Sequence, residues 1–349
     1  MGRILIYGAY GYTGKLIIEE ALAIGLNPIV AGRNPGKTKA LASEHGLDFR
    51  IFGLANKDEI INGLKGIDLV LNAAGPFVQT AKPMVEACLA SKTHYLDITG
   101  EIPVFDWVSK HHEAALKSGI CLMPGAGFDI VPTDCMAKRL HKAMPDATHL
   151  ELAFASLGGG VSHGTMLTMV ENLGNSGAIR ENGKIVNNPI GSKGKYIDFG
   201  LKKLFCMSIP WGDVVTSFYT TGILNITVFT AASKSTFRFL KLQGLFNPIL
   251  RTKWVKNTIK KYINKKITGP SRESNKNGIS LIWGEVSNSQ GKKHSLRLQT
   301  REGYLLTAKM SVLLIKKVLE KGPVGFHTPA ACFGSDLILE IEGSSFLEQ

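Results

Sequence analysis

Apolar positions in the first 145 residues fall into six short continuous runs, each followed by a stretch where they recur at helical spacing. The runs lie at Ile4–Tyr7, Pro28–Ala31, Phe49–Phe52, Leu69–Asn72, His94–Asp97 and Cys121–Pro124. Continuous rather than alternating runs predict strands buried on both faces, which is the habit of parallel sheets. Helices are predicted at Thr13–Ala23, Gly36–His45, Lys57–Leu64, Ala81–Ala90, Val104–Lys117 and Thr133–Ala143. Six strand–helix units in succession define the fold class: α/β, with a doubly wound parallel-sheet (Rossmann) nucleotide-binding domain over 1–145.

The pattern changes near Thr148. Leu150–Ala155 alternates, and further strands are predicted at Val214–Tyr219, Ile226–Ala231, Ile279–Val286, His294–Thr300 and Tyr304–Lys309, with few helices between them. Residues 146–325 therefore read as an inserted α+β domain on a mixed or antiparallel sheet. A helix is expected at Thr165–Leu173, a polar loop at Gly269–Gly278, and two closing helices at Ala308–Lys321 and Pro329–Glu342.

The first strand runs directly into Gly8, Gly11 and Gly14, and the helix starts at once. Glycines there let the backbone turn tightly and come close to a pyrophosphate, whose charge then sits at the positive end of the helix. The turn Gly8, Tyr10, Gly11, Tyr12, Thr13, Gly14 is the first candidate cofactor site. The second strand ends at Ala31-Gly32-Arg33-Asn34. A carboxylate at that point accepts hydrogen bonds from the ribose 2′-OH of NAD, whereas a guanidinium matches a 2′-phosphate. Arg33, with Asn34 and Lys37, thus favours NADP(H).

In such sheets ligands lie outside the carboxyl ends of the strands. The fourth strand ends in Ala73, Ala74, Gly75 and Pro76, and the fifth in Thr99, Gly100 and Glu101. The sixth leads to Gly127, Phe128 and Asp129. Three small-residue turns at one edge suit a long ligand crossing it. Candidate proton donors are His163, Ser162 and Asp129, with Thr165, Tyr10 and Tyr12 behind them. Tyr262 and Lys266 match Tyr-x-x-x-Lys, but they lie in a basic helix far from the nucleotide domain, and the match reads as coincidence.

Composition is that of a globular protein, 44% apolar and 20% charged over 349 residues. No apolar run has the length of a membrane span, and no charged-then-apolar leader precedes the first strand. The five cysteines show no metal-ligand spacing, so no metal is expected and a cytoplasmic location is. The formal charge of +13 is concentrated: between Asp213 and Glu273 there are eleven Lys and Arg and no acid. Residues 251–266 form a basic amphipathic helix with Val255, Ile259, Tyr262 and Ile263 on one stripe. It reads as a solvated surface helix, a peripheral contact with an anionic membrane surface, or a dock for an acidic carrier protein, with Lys253, Lys256, Lys260, Lys261, Lys265 and Lys266 attracting and Trp254 and Ile263 anchoring. No nucleic-acid module accompanies the charge.

Taken together, Gly8–Gly14, Ala31–Arg33, Asn72–Phe77, Tyr95–Glu101 and Gly127–Asp129 resemble the saccharopine dehydrogenase-like oxidoreductases, in particular the trans-acting enoyl reductase branch. Ser162–Thr165, Pro210–Asp213 and Thr328–Ala331 are similar as well. The resemblance implies an NADP-dependent enzyme whose first domain is completed by a C-terminal helix within 326–349. Its second domain would serve substrate binding and dimerisation, so a homodimer is among the expected assemblies. It further implies reduction of a C=C (enoyl) bond in an acyl or polyketide-type lipid precursor, free as a small molecule or carried as a thioester. Two alternatives stay open. One is an amino-acid-type imine (C=N) reductase, which needs charged groups such as Arg180 and Arg297 to hold substrate carboxylates. The other is a non-enzymatic NADP-binding redox sensor or scaffold.

Overall fold

The computed structural model describes residues 2–158, 160, 162–171, 173–266 and 277–347. The chain divides into two compact units, residues 1–131 with 304–332 and residues 132–303 with 333–349.

In the first unit strands and helices alternate: β1 (Ile4–Tyr7), α1 (Tyr12–Ala23), β2 (Ile29–Gly32), α2 (Pro35–His45), β3 (Phe49–Ile51), α3 (Lys57–Gly63), β4 (Leu69–Asn72), α4 (Phe77–Ser91), β5 (His94–Asp97), α5 (Ile102–Ser109), α6 (His112–Ser118) and β6 (Cys121–Met123). The sheet has the order β3-β2-β1-β4-β5-β6, every pair parallel, which is the doubly wound arrangement expected from the apolar runs. Its core includes Leu5, Val70, Met84, Val85, Tyr95 and Leu122, all fully buried. Local signals set the helix ends. Asn34 accepts a hydrogen bond from the Lys37 amide to start α2, and Gly46 ends it in the left-handed conformation. The single helix expected over Val104–Lys117 is two, broken at Lys110 and His111.

The second unit opens with α7 (Val131–Ala143) and β7 (His149–Leu157). Next come α8 (His163–Glu171), β8 (Gly177–Glu181), β9 (Lys184–Asn188), β10 (Gly194–Asp198), β11 (Lys203–Ile209), α9 (Asp213–Thr221) and β12 (Asn225–Ala231). Then follow α10 (Lys234–Leu250), α11 (Lys253–Lys266), β13 (Ile279–Ser287) and β14 (Lys293–Arg301). A mixed sheet runs β10-β11-β12-β7-β13-β14, antiparallel except where β12 lies parallel to β7. It packs on Phe199, Phe229, Leu281 and Trp283.

The C-terminal segment differs from expectation. Helix α12 (Gly303–Lys321) replaces the strand predicted at Tyr304–Lys309. This helix joins the nucleotide unit, as do the residues after it up to Cys332, among them β15 (Gly325–Phe326), which adds a seventh parallel strand beside β6. The long helix expected at Pro329–Glu342 is a short α13 (Pro329–Phe333), a 3₁₀ turn at Leu337–Glu340 and β16 (Ser345–Leu347), which pairs with β14 in the second sheet. Val214–Tyr219 is helical too. A short apolar run fits a buried helix as well as a strand, and Gly222 in the left-handed conformation closes the helix. Of the predicted Gly269–Gly278 loop, residues 269–276 lie outside the described residues. All five cysteines are free thiols. Among the described residues no helix is long and apolar enough to cross a membrane.

Candidate functional site

The turn between β1 and α1 is held by its own backbone. The Gly8 amide donates to Ala31 O at 2.9 Å, Gly11 to Gly8 O at 2.9 Å, and Ala73 to Tyr7 O at 2.8 Å. Gly8 has φ +79°, and a Cβ there would lie 2.8 Å from both the Cβ and the amide nitrogen of Ala74. A Cβ on Gly14 would lie 2.6 Å from Gly8 O and 2.7 Å from Ala9 O. Each glycine is therefore required by a close approach of backbone to backbone. Tyr10 folds over the next strand end, so close to Gly32 that a Cβ would sit 2.5 Å from its ring. Lys37 lies 6.0 Å from the same ring.

Helices α1, α2 and α4 start at this edge, and of these three only α1 has no side-chain cap. Asn34 caps α2. The Glu101 carboxylate caps α4, accepting from the Phe77 amide at 2.8 Å and the Val78 amide at 3.2 Å. Gly11, at the start of α1, supplies no side-chain cap, and no acidic residue lies in the first turn. The first amides of a helix have no acceptor within it and carry the positive end of its dipole. The start of α1 is thus a place at this edge that suits a phosphate.

Arg33 is exposed beside this turn, and no ion pair involving it is found among the described residues. Its charge reaches the Tyr7 phenol, which donates to Phe52 O at 3.1 Å. Burial pushes the Tyr7 pKa up to about 12; Tyr10 adds to the rise and Arg33 opposes it.

A buried polar chain ties the remaining strand ends together. Asn72 Oδ1 accepts from the Ala74 amide at 3.1 Å, and Asn72 Nδ2 reaches Thr80 Oγ1 at 3.2 Å and the Tyr95 hydroxyl at 3.4 Å. Tyr95 donates to Asp97 Oδ2 at 2.6 Å. Asp97 Oδ1 accepts from the amides of Thr99 at 3.0 Å and Gly125 at 2.9 Å. Burial lifts the Asp97 pKa to about 6 against these three hydrogen bonds. Thr80 donates to Ala74 O at 2.6 Å, fixing the segment that holds the cis Gly75–Pro76 bond. The result is a rigid, small-residue shelf running from Gly8 through Ala74 to Thr99 and Gly100.

Asp129 lies at the far end of that shelf. A Cβ on Gly100 would be 2.9 Å from its Oδ2. Its surface is only partly accessible. Lost hydration is the main cause raising its pKa to about 7, and the nearby Glu101 charge adds to it. At neutral pH this carboxyl therefore holds a proton for much of the time. Behind it α12 closes the unit: Thr307 Oγ1 accepts from the Phe128 amide at 3.0 Å, Ser311 donates to Ala126 O at 3.0 Å, and Tyr304 meets Tyr12 edge-on at 5.1 Å.

The structure thus brings together Gly8, Tyr10, Gly11, Tyr12, Thr13, Gly14, Arg33, Asn34, Lys37, Ala73, Ala74, Gly75, Pro76, Thr99, Gly100 and Asp129, all in one unit. Ser162 and His163 belong to the other unit. The Ser162 hydroxyl accepts from the Thr165 amide at 3.2 Å and so caps α8. The His163 side chain lies outside what is described. Sequence reasoning did not single out Tyr95, Asn72 or Glu101 as site supports; the polar residues ending apolar runs were the available signal.

A doubly wound parallel sheet with a glycine-bound, uncapped first helix defines a dinucleotide-binding domain of the oxidoreductase type. Residues 4–123 match the family model of the saccharopine dehydrogenase NADP binding domain, so this domain is an NADP-binding one. A trans-acting enoyl reductase of Mycobacterium leprae is 31% identical over 147 residues, covering 40% of this chain and 35% of that protein. A saccharopine dehydrogenase-like oxidoreductase of Rattus norvegicus is 27% identical over 206 residues, covering 51% and 48%. The chain spans less than half the length of these curated relatives. Saccharopine dehydrogenase (L-Glu forming) of Saccharomyces cerevisiae shares the fold, with a TM-score of 0.66 at 12% identity over 100% of both chains.

Proposed function

We propose that this chain is an NADPH-dependent reductase that saturates the C=C bond of an enoyl thioester. In this reading the first turn of α1 and the Gly8–Gly14 backbone receive the pyrophosphate. Arg33 and Lys37 receive the 2′-phosphate, and the shelf of Ala73, Ala74, Gly75, Pro76, Thr99 and Gly100 lies along the nicotinamide half. NADPH, when bound, supplies the hydride. Asp129 is the proton donor: a carboxyl with a pKa of about 7, beside Gly100, can give its proton to the carbon that gains the electron pair and regain one from water. Asn72, Tyr95 and Asp97 hold the shelf in place. Glu101 fixes the start of α4, and its negative charge adds to the burial that raises the Asp129 pKa.

The observation that carries the choice of acceptor is the state of the two arginines an imine reductase would need. Arg180 is buried; its Nε donates to Val214 O at 2.6 Å, its Nη1 to Gly183 O at 2.5 Å, and its guanidinium lies 4.1 Å from the Phe218 ring. Arg297 is paired with Asp198, through Nη2 to Oδ2 at 3.2 Å and Nε to the backbone oxygen at 3.0 Å. Both are committed to the fold, so neither is available for the carboxylates of an amino-acid substrate. An apolar thioester needs no such partner, and the name carried by the M. leprae relative supplies the same class.

The test is loss of NADPH absorbance with a medium-chain trans-2-enoyl thioester of coenzyme A, against a 2-oxo acid mixed with a primary amine. Turnover of the enoyl thioester alone supports the reading. Turnover of the oxo acid with amine overturns it in favour of the imine reductase. Tight NADPH binding with turnover of neither overturns it in favour of a sensor or scaffold.

A further inference from the structure

Helices α10 and α11 follow one another with only Arg251 and Thr252 between them, and both belong to the second unit. The inner side of α11 and the joint at Arg251 are anchored. Ile263 is buried, Lys256 Nζ donates to Glu171 O at 2.5 Å, Lys260 forms an ion pair with Glu171, and Arg251 Nε donates to Gly174 O at 2.8 Å. Ile263 is therefore not an anchor for a partner, and Lys256 and Lys260, expected to attract one, are engaged by Glu171.

The outer side is unlike an ordinary solvated face. Trp254 is 77% exposed, Phe239 69% and Tyr262 63%, and Phe246 and Ile249 are each more than half exposed. Phe239 and Phe246 stand seven residues apart, as do Trp254 and Lys261, so each pair shares a helix face. Lys234, Arg238, Lys253 and Lys261 are exposed among them, and no Asp or Glu occurs anywhere from 214 to 272. Several large apolar side chains left in water are costly unless something covers them.

We infer that the outer face of α10 and α11 docks on the surface of an anionic lipid bilayer. Charge alone would suit any acidic partner, but five protruding apolar side chains ringed by cations suit a fluid apolar layer under a negative headgroup plane. Trp and Tyr, apolar rings with a polar edge, settle at that boundary. Neither helix is long and apolar enough to span, so the pair lies in the plane of the interface with Phe239, Phe246, Ile249 and Trp254 dipping below the headgroups. This inference stands on the second unit and is independent of the reductase reading.

The test is co-sedimentation of the full chain with vesicles of phosphatidylcholine, alone or mixed with phosphatidylserine, at low and high salt. Binding to the mixed vesicles at low salt is expected to fall steeply as salt shortens the screening length below about 10 Å, with much weaker binding to phosphatidylcholine. Lys253→Gln with Lys261→Gln should lower the partition coefficient roughly 25-fold at low salt, about fivefold for each cation. Trp254→Ala with Phe246→Ala should lower it by more than tenfold at either salt, since both rings leave the apolar layer. Both variants change exposed side chains, so an unchanged circular dichroism melting curve establishes that they fold. No binding of the parent to mixed vesicles at low salt overturns the inference. So does binding that neither variant weakens, or a parent dimer in sedimentation velocity that Trp254→Ala dissociates, which would make a second copy of the chain the occupant.

Discussion

Gly8 and Gly25 have nearly the same φ, +79° and +77°, yet very different surroundings. A Cβ at Gly25 meets nothing within 4 Å, whereas a Cβ at Gly8 falls 2.8 Å from Ala74 N, on the strand end that builds the shelf. Placing alanine at either position forces an L-residue into the left-handed region, at about 1–2 kcal/mol. At Gly8 the methyl must also displace the Ala74 backbone, which adjoins the Asn72 hydrogen bond, and overpacking of that kind adds about 1–3 kcal/mol. Gly8→Ala should therefore cost about 2–5 kcal/mol, against about 1–2 kcal/mol for Gly25→Ala. Urea denaturation followed by circular dichroism gives the stabilities, and calorimetric titration gives NADPH affinity. Gly8→Ala should also lose affinity, because Gly8 and Ala74 move together under the cofactor, while Gly25→Ala should bind as the parent does. Equal destabilisation by the two substitutions, with NADPH affinity unchanged in both, would refute the close-approach reasoning.

Two further outcomes follow from the same geometry. Arg33→Asp should weaken NADPH binding by roughly 2–4 kcal/mol through a lost charge-assisted contact and added repulsion, with NADH little affected; equal affinity of the parent for the two cofactors by titration would contradict it. Asp129 and Asp97 have folded-state pKa values of about 7 and about 6, raised above the ordinary 3.8. The stability each contributes is complete below that ordinary value and is lost as pH rises through the folded one. Asp129→Asn should therefore gain stability relative to the parent as pH rises from about 4 to about 7, and should remove the fall in kcat expected above pH 7; a parent–variant difference that is flat across that window would contradict the assignment.

The nucleotide unit was legible because its strands are continuous apolar runs closed by turn residues. Ile4–Tyr7 and Leu69–Asn72 needed no tertiary information to be recognised. The second unit was harder for identifiable reasons. Gly244 and Pro248 lie inside α10 and mask its periodicity, so a helix that carries Phe239 and Phe246 went unpredicted. Val214–Tyr219 is an apolar run that either a strand or a buried helix satisfies, and its surroundings decided for the helix. The return of α12 to the nucleotide unit depends on Thr307 and Ser311 meeting a backbone nearly two hundred residues earlier, which no local pattern encodes. At the site, glycine spacing and Arg33 could be read directly. The Asn72–Tyr95–Asp97 chain could not, because it exists only once β4 and β5 pair with Asn72 opposite Asp97.

The most direct test follows the hydrogen itself. NADPH carrying deuterium at nicotinamide C4 is mixed with the protein and a trans-2-enoyl thioester, for each of the two C4 faces, and the product is analysed by mass spectrometry. With one of the two labelled faces, the saturated thioester should carry one deuterium, at its β-carbon, and transfer should weaken in Asp129→Asn as pH is held near neutral. An unlabelled product from both faces, or NADPH consumed with the double bond intact, would contradict enoyl reduction by this chain.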